Sequence, residues 1–309
     1  MAAQNYSNAS VLLRNQTART VVNPIDRATD FFDLLMMSGR LKGGVEPFKH
    51  ALVTSANSTA ERFIEDQGLP DGARRSASEV ALAAFYWREV VKLTGRVVDI
   101  NAGGGFIDDL LAGEVENATA NMLYAVEGDL IGSTANLGLI SLIDDTDSYG
   151  GLNPASITIH TSLVSTTVGT LNATKVEDHW EAMQTAPYHC KPTHILLATN
   201  QKTNYGRIMG PSATSTPTRL ILGNGGGYDI GMQALPMTYN GVPLVGIQNL
   251  STQDILFFDI NDYVMWVQRD VAYKPLGTRN DNTEGFVSMA GAPELFDRRR
   301  HSKMEGVTA

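Results

Sequence analysis

The sequence predicts an α+β chain whose helices and strands fall into separate blocks. Three observations predict it. From Phe106 to Ile131, apolar residues recur at Phe106, Ile107, Leu110, Leu111, Val115, Ala118, Met122, Leu123, Val126 and Leu130. Steps of three and four mark one face of a long helix. Residues 43–97, and the stretches after Val242, instead carry β-branched and aromatic runs of strand length between turn signals. No regular strand–helix–strand alternation and no internal repeat joins these blocks.

Taken in order, residues 1 to about 22 are polar with short apolar pieces, too little to fold alone. They read as a tail or as an arm that orders on a neighbouring chain. Asn23 and Pro24 supply a cap and a first-turn proline for a helix whose apolar side is Ile25, Ala28, Phe31, Phe32, Leu35 and Met36, stopped by Gly39. Strands are expected at 47–54 and across 78–93, where Phe85, Tyr86, Trp87, Val90 and Val91 outweigh the helix-favouring Ala and Glu. With turn signals at Gly68 to Gly72 between them, they form a long two-stranded hairpin. Such a ribbon is marginal alone in water and needs a surface to lie on.

The long helix would measure roughly 35–40 Å. Asn101 or the glycines at 103–105 can start it, Asp108 and Asp109 suit its positive end, and Gly128 or Gly132 can stop it. A loop with short apolar pieces follows. A second helix is expected from Asn172 or Thr174 to about Ala186, a buried strand over 192–199, and a helix near Gln201 to Met209. Residues 210–234, rich in Gly, Pro, Ser and Thr, are expected to be a loop region. Asn240 and Gly241 mark a tight hairpin turn. Strands are expected at 242–247, 255–258, 264–273 and 285–290, and the end of the chain from Asp297 reads as a short basic tail.

The chain has 309 residues and 43% hydrophobic content, enough for a real core. Its net charge of −9, with the basic residues scattered, argues against gripping nucleic acid through phosphates. The single cysteine, Cys190, excludes an intrachain disulfide and suits a reducing compartment. The N-terminus does not read as a secretion signal, and no apolar run is long enough to span a membrane.

Three stretches invite a chemical reading. Gly223 to Gly227 lacks the Lys-Ser/Thr pair of a phosphate loop and reads as a flexible loop. His179, Glu181, His189, Cys190 and His194 have a partial metal-site pattern without the second cysteine, and read as ordinary packed residues. The segment from Asp145 opens like a calcium loop, but Tyr149 and Ser156 occupy ligand positions, so it reads as a turn. We therefore expect no catalytic residues, no cofactor-binding residues and no metal site.

The order of parts, taken with two stretches, resembles the major capsid proteins of tailed bacteriophages, the Hong Kong 97-type capsid fold. One stretch is the long helix followed by Glu127 to Gly132 and Asn136 to Leu139. The other runs from Tyr239 to Val245, through Ile255 to Asp259, to Phe296, Asp297 and His301 to Gly306. The resemblance covers essentially the whole chain. It implies an N-terminal arm and docking helix over 1–42, an extended hairpin loop over 43–97 and a peripheral domain with the spine helix over 98–143. It further implies an axial domain over 144–258, and peripheral return strands with the tail over 259–309. It implies a structural protein, not an enzyme, that self-assembles as pentamers and hexamers into an icosahedral shell around double-stranded DNA. That DNA would be packaged without sequence-specific binding. Scaffolding, portal and decoration proteins are the implied partners, with no membrane, and the location is the virion, assembled in the host bacterial cytoplasm. Fewer than about 25 residues precede the first helix, so scaffolding is expected from a separate protein. Lys49 lies in the hairpin without a defined partner, so no isopeptide cross-link between subunits is expected. Two other readings stand beside this one: an encapsulin compartment shell, and a soluble hydrolase or nucleotide enzyme using the glycine-rich loop or Cys190.

Overall fold

The computed structural model describes residues 29–53, 76–95, 110–154, 161–202, 238–279 and 281–308. It divides into two units. The first comprises Met1–Phe48, Ala83–Asp129 and Met265–Ala292, and the second Lys49–Leu82, Leu130–Val264 and Pro293–Ala309.

In the first unit, helix α1 spans Asp30–Met37. Thr29 precedes it in a non-helical conformation, so the helix starts later than the expected cap; Asn23 and Pro24 lie outside the described residues. Phe31 and Leu35, one turn apart, are buried. Gly39 ends the helix at φ +66, a conformation glycine adopts without a Cβ penalty. Helix α2 spans Leu110–Ile131, about 33 Å of the expected spine; the residues expected to start it lie outside the described set. Ala118, Met122, Val126 and Leu130 are its buried stripe, spaced by fours. The helix runs through Gly128 and stops before Gly132.

The unit's sheet has the order β1–β11–β12–β4, with β1 at Leu41–Gly43, β11 at Tyr263–Arg279, β12 at Asn282–Leu295 and β4 at Phe85–Thr94. β1 runs parallel to β11 from the pair Leu41 and Met265. β4 runs antiparallel to β12 from Thr94 opposite Asn282 to Phe85 opposite Gly291. β11 and β12 outrun the expected 264–273 and 285–290, because pairing with a neighbour carries them past the end of their hydrophobic pattern.

This sheet corrects the reading of 78–93 as one strand of a two-stranded hairpin. The stretch is two strands. β3, Ala77–Leu82, pairs with β2, Phe48–Val53, and the chain then breaks at Ala83 and Ala84. β4 leaves the ribbon and joins β12. The physical reason is competition: β12 offers ten consecutive paired positions to β4, whereas a two-stranded ribbon is only marginally stable.

The second unit is built on a six-stranded sheet of order β5–β13–β10–β7–β9–β8. Its strands are β5 Leu163–Ser165, β13 Ser302–Met304, β10 Ile255–Phe258, β7 His194–Ala198, β9 Val242–Ile247 and β8 Thr238–Tyr239. β7, β9 and β10 fall within a residue or two of expectation. Asn240 and Gly241, both at positive φ (+47 and +82), make the turn between β8 and β9. Helix α3, Leu139–Leu142, lies in a stretch read as loop. Helix α4, Ala173–Gln184, is capped as expected, with the Asn172 side chain accepting the Lys175 N–H. Residues 199–202 are helical, and the rest of the helix expected to Met209 and the loop after it lie outside the described residues. The core gathers Leu171, Val176, Met183, Ile195, Leu197, Leu244, Ile255, Phe257, Met304 and Val307.

The last two core residues correct the basic tail. Ser302–Met304 is an interior strand, antiparallel to β10 and parallel to β5. β14, Val307–Thr308, runs parallel to β6, Gly169–Thr170. Arg298, His301, Ser302 and Lys303 are all at most 1% exposed. Charge made this segment look solvated; fixed partners for each charge allow it to be buried.

Candidate assembly elements

Helix α1 is amphipathic and needs a docking surface. Glu127, wholly buried on α2, provides it. Its Oε2 accepts the backbone N–H of Phe31 at 3.0 Å and of Phe32 at 3.1 Å. Thr29 makes no side-chain cap, so a carboxylate from another helix takes the orphan donors at the positive end of α1.

The root of the ribbon is fixed inside the second unit. His50 on β2 meets the buried Glu294 at 2.5 Å between Nδ1 and Oε1, and its ring stands edge-on to Phe296. The Ala81 N–H donates to the Gly150 carbonyl at 3.2 Å. Gly150 sits at φ +54, and a Cβ there would collide with Val80. On the ribbon's other face, Lys49 pairs with Glu79 at 2.6 Å, half exposed. The ribbon beyond residues 53 and 76 lies outside the described set.

A cation clasp holds the chain's end against α3 and the turn after it. Arg298 donates from Nε to Leu142 O (2.7 Å), from Nη1 to Asp147 O (2.8 Å) and from Nη2 to Ser141 O (3.2 Å). Its guanidinium lies 5.9 Å from the centre of the Tyr149 ring, and the Tyr149 hydroxyl accepts the Leu295 N–H at 2.8 Å. Lys303 donates to Ile140 O (2.8 Å) and pairs with Asp144 (2.5 Å) and Glu305 (2.7 Å). Burial alone would raise the Asp144 carboxyl. Hydrogen bonds from Lys303, Thr146 and Asp147 outweigh it and hold the carboxyl well below the usual carboxylate range. The segment from Asp144 is a turn, closed by paired Tyr149 and Leu152 backbones.

The residues weighed for chemistry are dispersed by the fold. His179 is buried between Ser165 (Nδ1, 2.8 Å) and Ser302 (Nε2, 3.1 Å), and Ser302 donates onward to the Met183 sulfur at 2.7 Å. That chain of donors is satisfied by a neutral imidazole with its proton on Nε2. Burial pushes the ring down to about 4. Cys190 is buried and donates to Arg300 O at 2.6 Å; burial pushes its thiol up to about 12, so no thiolate is available at neutral pH. His194 contacts Thr193, and His189 contacts the Gln184 carbonyl. Among the described residues, no three His, Cys, Asp or Glu side chains gather into a metal site. No described helix is long and apolar enough to cross a membrane. The glycines at 223–227 lie outside the described residues.

Sequence reasoning missed Glu127, Arg298 and Lys303. Glu127 interrupts an apolar stripe, and Arg298 opens a charged run. Neither carries a local signal of burial.

No protein-family model matches the sequence, and no curated protein matches it. Solved structures do match in fold. A chain of the cyanophage A-1(L) capsid asymmetric unit superposes with a TM-score of 0.71 at 13% identity, covering 97% of this chain and 98% of that one. A chain of the native GTA particle capsid gives 0.67 at 12% identity, covering 95% of each. A chain of the holo-SrpI encapsulin complex from Synechococcus elongatus gives 0.55 at 14% identity, covering 99% of this chain and 96% of that one. The likeness spans whole chains and shows a shared fold.

Proposed function

We propose, from a chain that has the Hong Kong 97-type capsid fold, that this is a major capsid protein. Copies of it would form the icosahedral head of a tailed phage around double-stranded DNA. The observation that carries the reading is the end-to-end match to solved capsid chains, that of cyanophage A-1(L) first among them. The described parts supply a physical rationale. Among the described residues, the two-stranded ribbon rooted by His50 and Gly150 has no third strand of the kind that stabilises such pairs. A neighbouring subunit provides it in heterologous contacts that close into a shell.

On this reading, 1–42 is the arm and docking helix and 43–97 the extended loop. Residues 98–143 belong to the peripheral domain, 144–258 are the axial domain, and 259–309 return to the peripheral domain. The chain works without catalysis or cofactor. Its partners are copies of itself, with scaffolding, portal and decoration proteins and non-specifically packaged DNA. Assembly takes place in the host cytoplasm and the product is the virion.

The encapsulin likeness favours a second reading, a compartment shell that holds cargo. Electron microscopy of the expressed protein tests both. Closed shells that package DNA when made with the neighbouring genes support the phage head; small uniform DNA-free shells support the compartment. A stable monomer under all conditions overturns both.

A further inference from the structure

We infer that a hollow over Ser288, in the sheet of the first unit, is a socket for a side-chain carboxylate of a second copy of this chain. The inference rests on the shell reading and names one contact by which copies recognise each other. The hollow holds about 330 Å³ and is lined by Tyr86, Arg88, Arg269, Phe286 and Ser288 among others. Ser288 and Arg88 are direct cross-strand partners, so both side chains leave the same side of the sheet.

Three groups here are uncommitted. Ser288 is 5% exposed, yet its hydroxyl has no hydrogen-bond partner among the described residues. A buried polar group without a partner is rare and costs about 1–3 kcal/mol, so it calls for an occupant. Arg88 and Arg269 likewise carry no hydrogen bond or ion pair among the described residues. Lys92, further along β4, is by contrast already paired with Glu284 at 2.6 Å.

The chemistry selects an oxyanion. No carboxylate lines the hollow, while two guanidiniums offer only donors and the Ser288 hydroxyl can donate as well. A guanidinium fork matches a carboxylate in two parallel bonds. Phe286 and Tyr86 add an apolar wall that lowers the local dielectric and strengthens such bonds. Tyr86 is 63% exposed, and its hydroxyl donates to Gln268 at 3.3 Å. Charge complementarity points to a second copy. The chain carries 33 acidic against 24 basic residues, so each copy brings surplus carboxylates to a positive site on an acidic protein.

The test compares wild type with Arg88→Ala/Arg269→Ala, Ser288→Ala and Arg88→Lys. Particle formation is followed by sedimentation at low and high salt. Sulfate binding to free subunits and to particles is followed by calorimetry. We expect the double variant to keep the wild-type circular dichroism melt but to need about tenfold more protein to assemble at low salt. The gap should close in high salt, where wild type is screened as well. Arg88→Lys should recover part of the loss, Ser288→Ala should show a smaller one, and sulfate should bind free wild-type subunits but not particles. Assembly of the double variant at the wild-type concentration overturns the inference. So does sulfate binding equally to particles and subunits, which would make a free anion the ligand. If the double variant does not fold, Arg88→Lys alone is decisive: unchanged assembly overturns the socket. If wild type forms no shell, the proposed function falls. The socket then stands only if a smaller oligomer forms and dissociates when the arginines are replaced.

Discussion

Glu127 caps a helix to which it does not belong: its carboxylate sits 3.0 Å from the Phe31 N–H, 96 residues away in the chain. One buried carboxylate thus fixes where the first described helix lies on the longest one. Glu127→Ala should leave the buried N–H of Phe31 and the half-buried N–H of Phe32 without this acceptor, at a cost of about 1–3 kcal/mol. Glu127→Gln keeps an acceptor and should lose less. Chemical denaturation gives the stability, and hydrogen exchange at Phe31 and Phe32 should rise first.

Gly150→Ala tests the ribbon root. The new methyl meets Val80, and the residue must hold φ +54. We expect a loss of about 1–3 kcal/mol from overpacking and strain. Exchange of the Ala81 amide should quicken, because that N–H bonds to Gly150. Wild-type exchange there would show that the root is not clamped.

His179 predicts an acid limit. Its ring protonates near 6.5 when exposed and only near 4 in the fold. The unfolded chain therefore binds the extra proton first, and stability drops as pH falls through the window from 6.5 to 4. The loss from this group is on the order of 3 kcal/mol. In His179→Gln that part of the pH dependence should vanish, as read from melting temperature against pH.

The clasp at Arg298 predicts the largest single loss. Arg298→Met strips donors from three carbonyls at once, and Lys303→Met strands Asp144 and Glu305. Each should cost about 3–5 kcal/mol, as breaking buried charge contacts does. A melting temperature within a degree of wild type for Arg298→Met would remove the clasp from the account.

Cys190 should be inert. In the native protein a thiol reagent should react only after denaturation, and Cys190→Ala should leave assembly unchanged. Rapid native labelling would revive the enzyme reading that depends on this thiol.

Helix α2, the Asn172 cap and the Asn240–Gly241 turn were legible because each rule acts over a few neighbouring residues. A 3.6-residue period, a side-chain acceptor three residues before its donor, and a pair of residues that tolerate positive φ are all local. The stretch 78–93 shows where this ends. Its strand character was local, but its division between two partners depended on Gly285 to Gly291, about two hundred residues away.

By itself, then, the sequence determined the long helix, the helix after Asn172, the strands at 242–247 and 255–258 and the Asn240–Gly241 turn, but not helix α3 or the strands near residues 302–308. Tertiary structure alone decided that Arg298 and Lys303 are core residues and that Glu127 is a cap. The partners of Arg298 lie 151 to 157 residues away in the chain. A charge is excluded from a core unless it is paired, and nothing near it in the sequence reveals whether a distant carbonyl will be waiting.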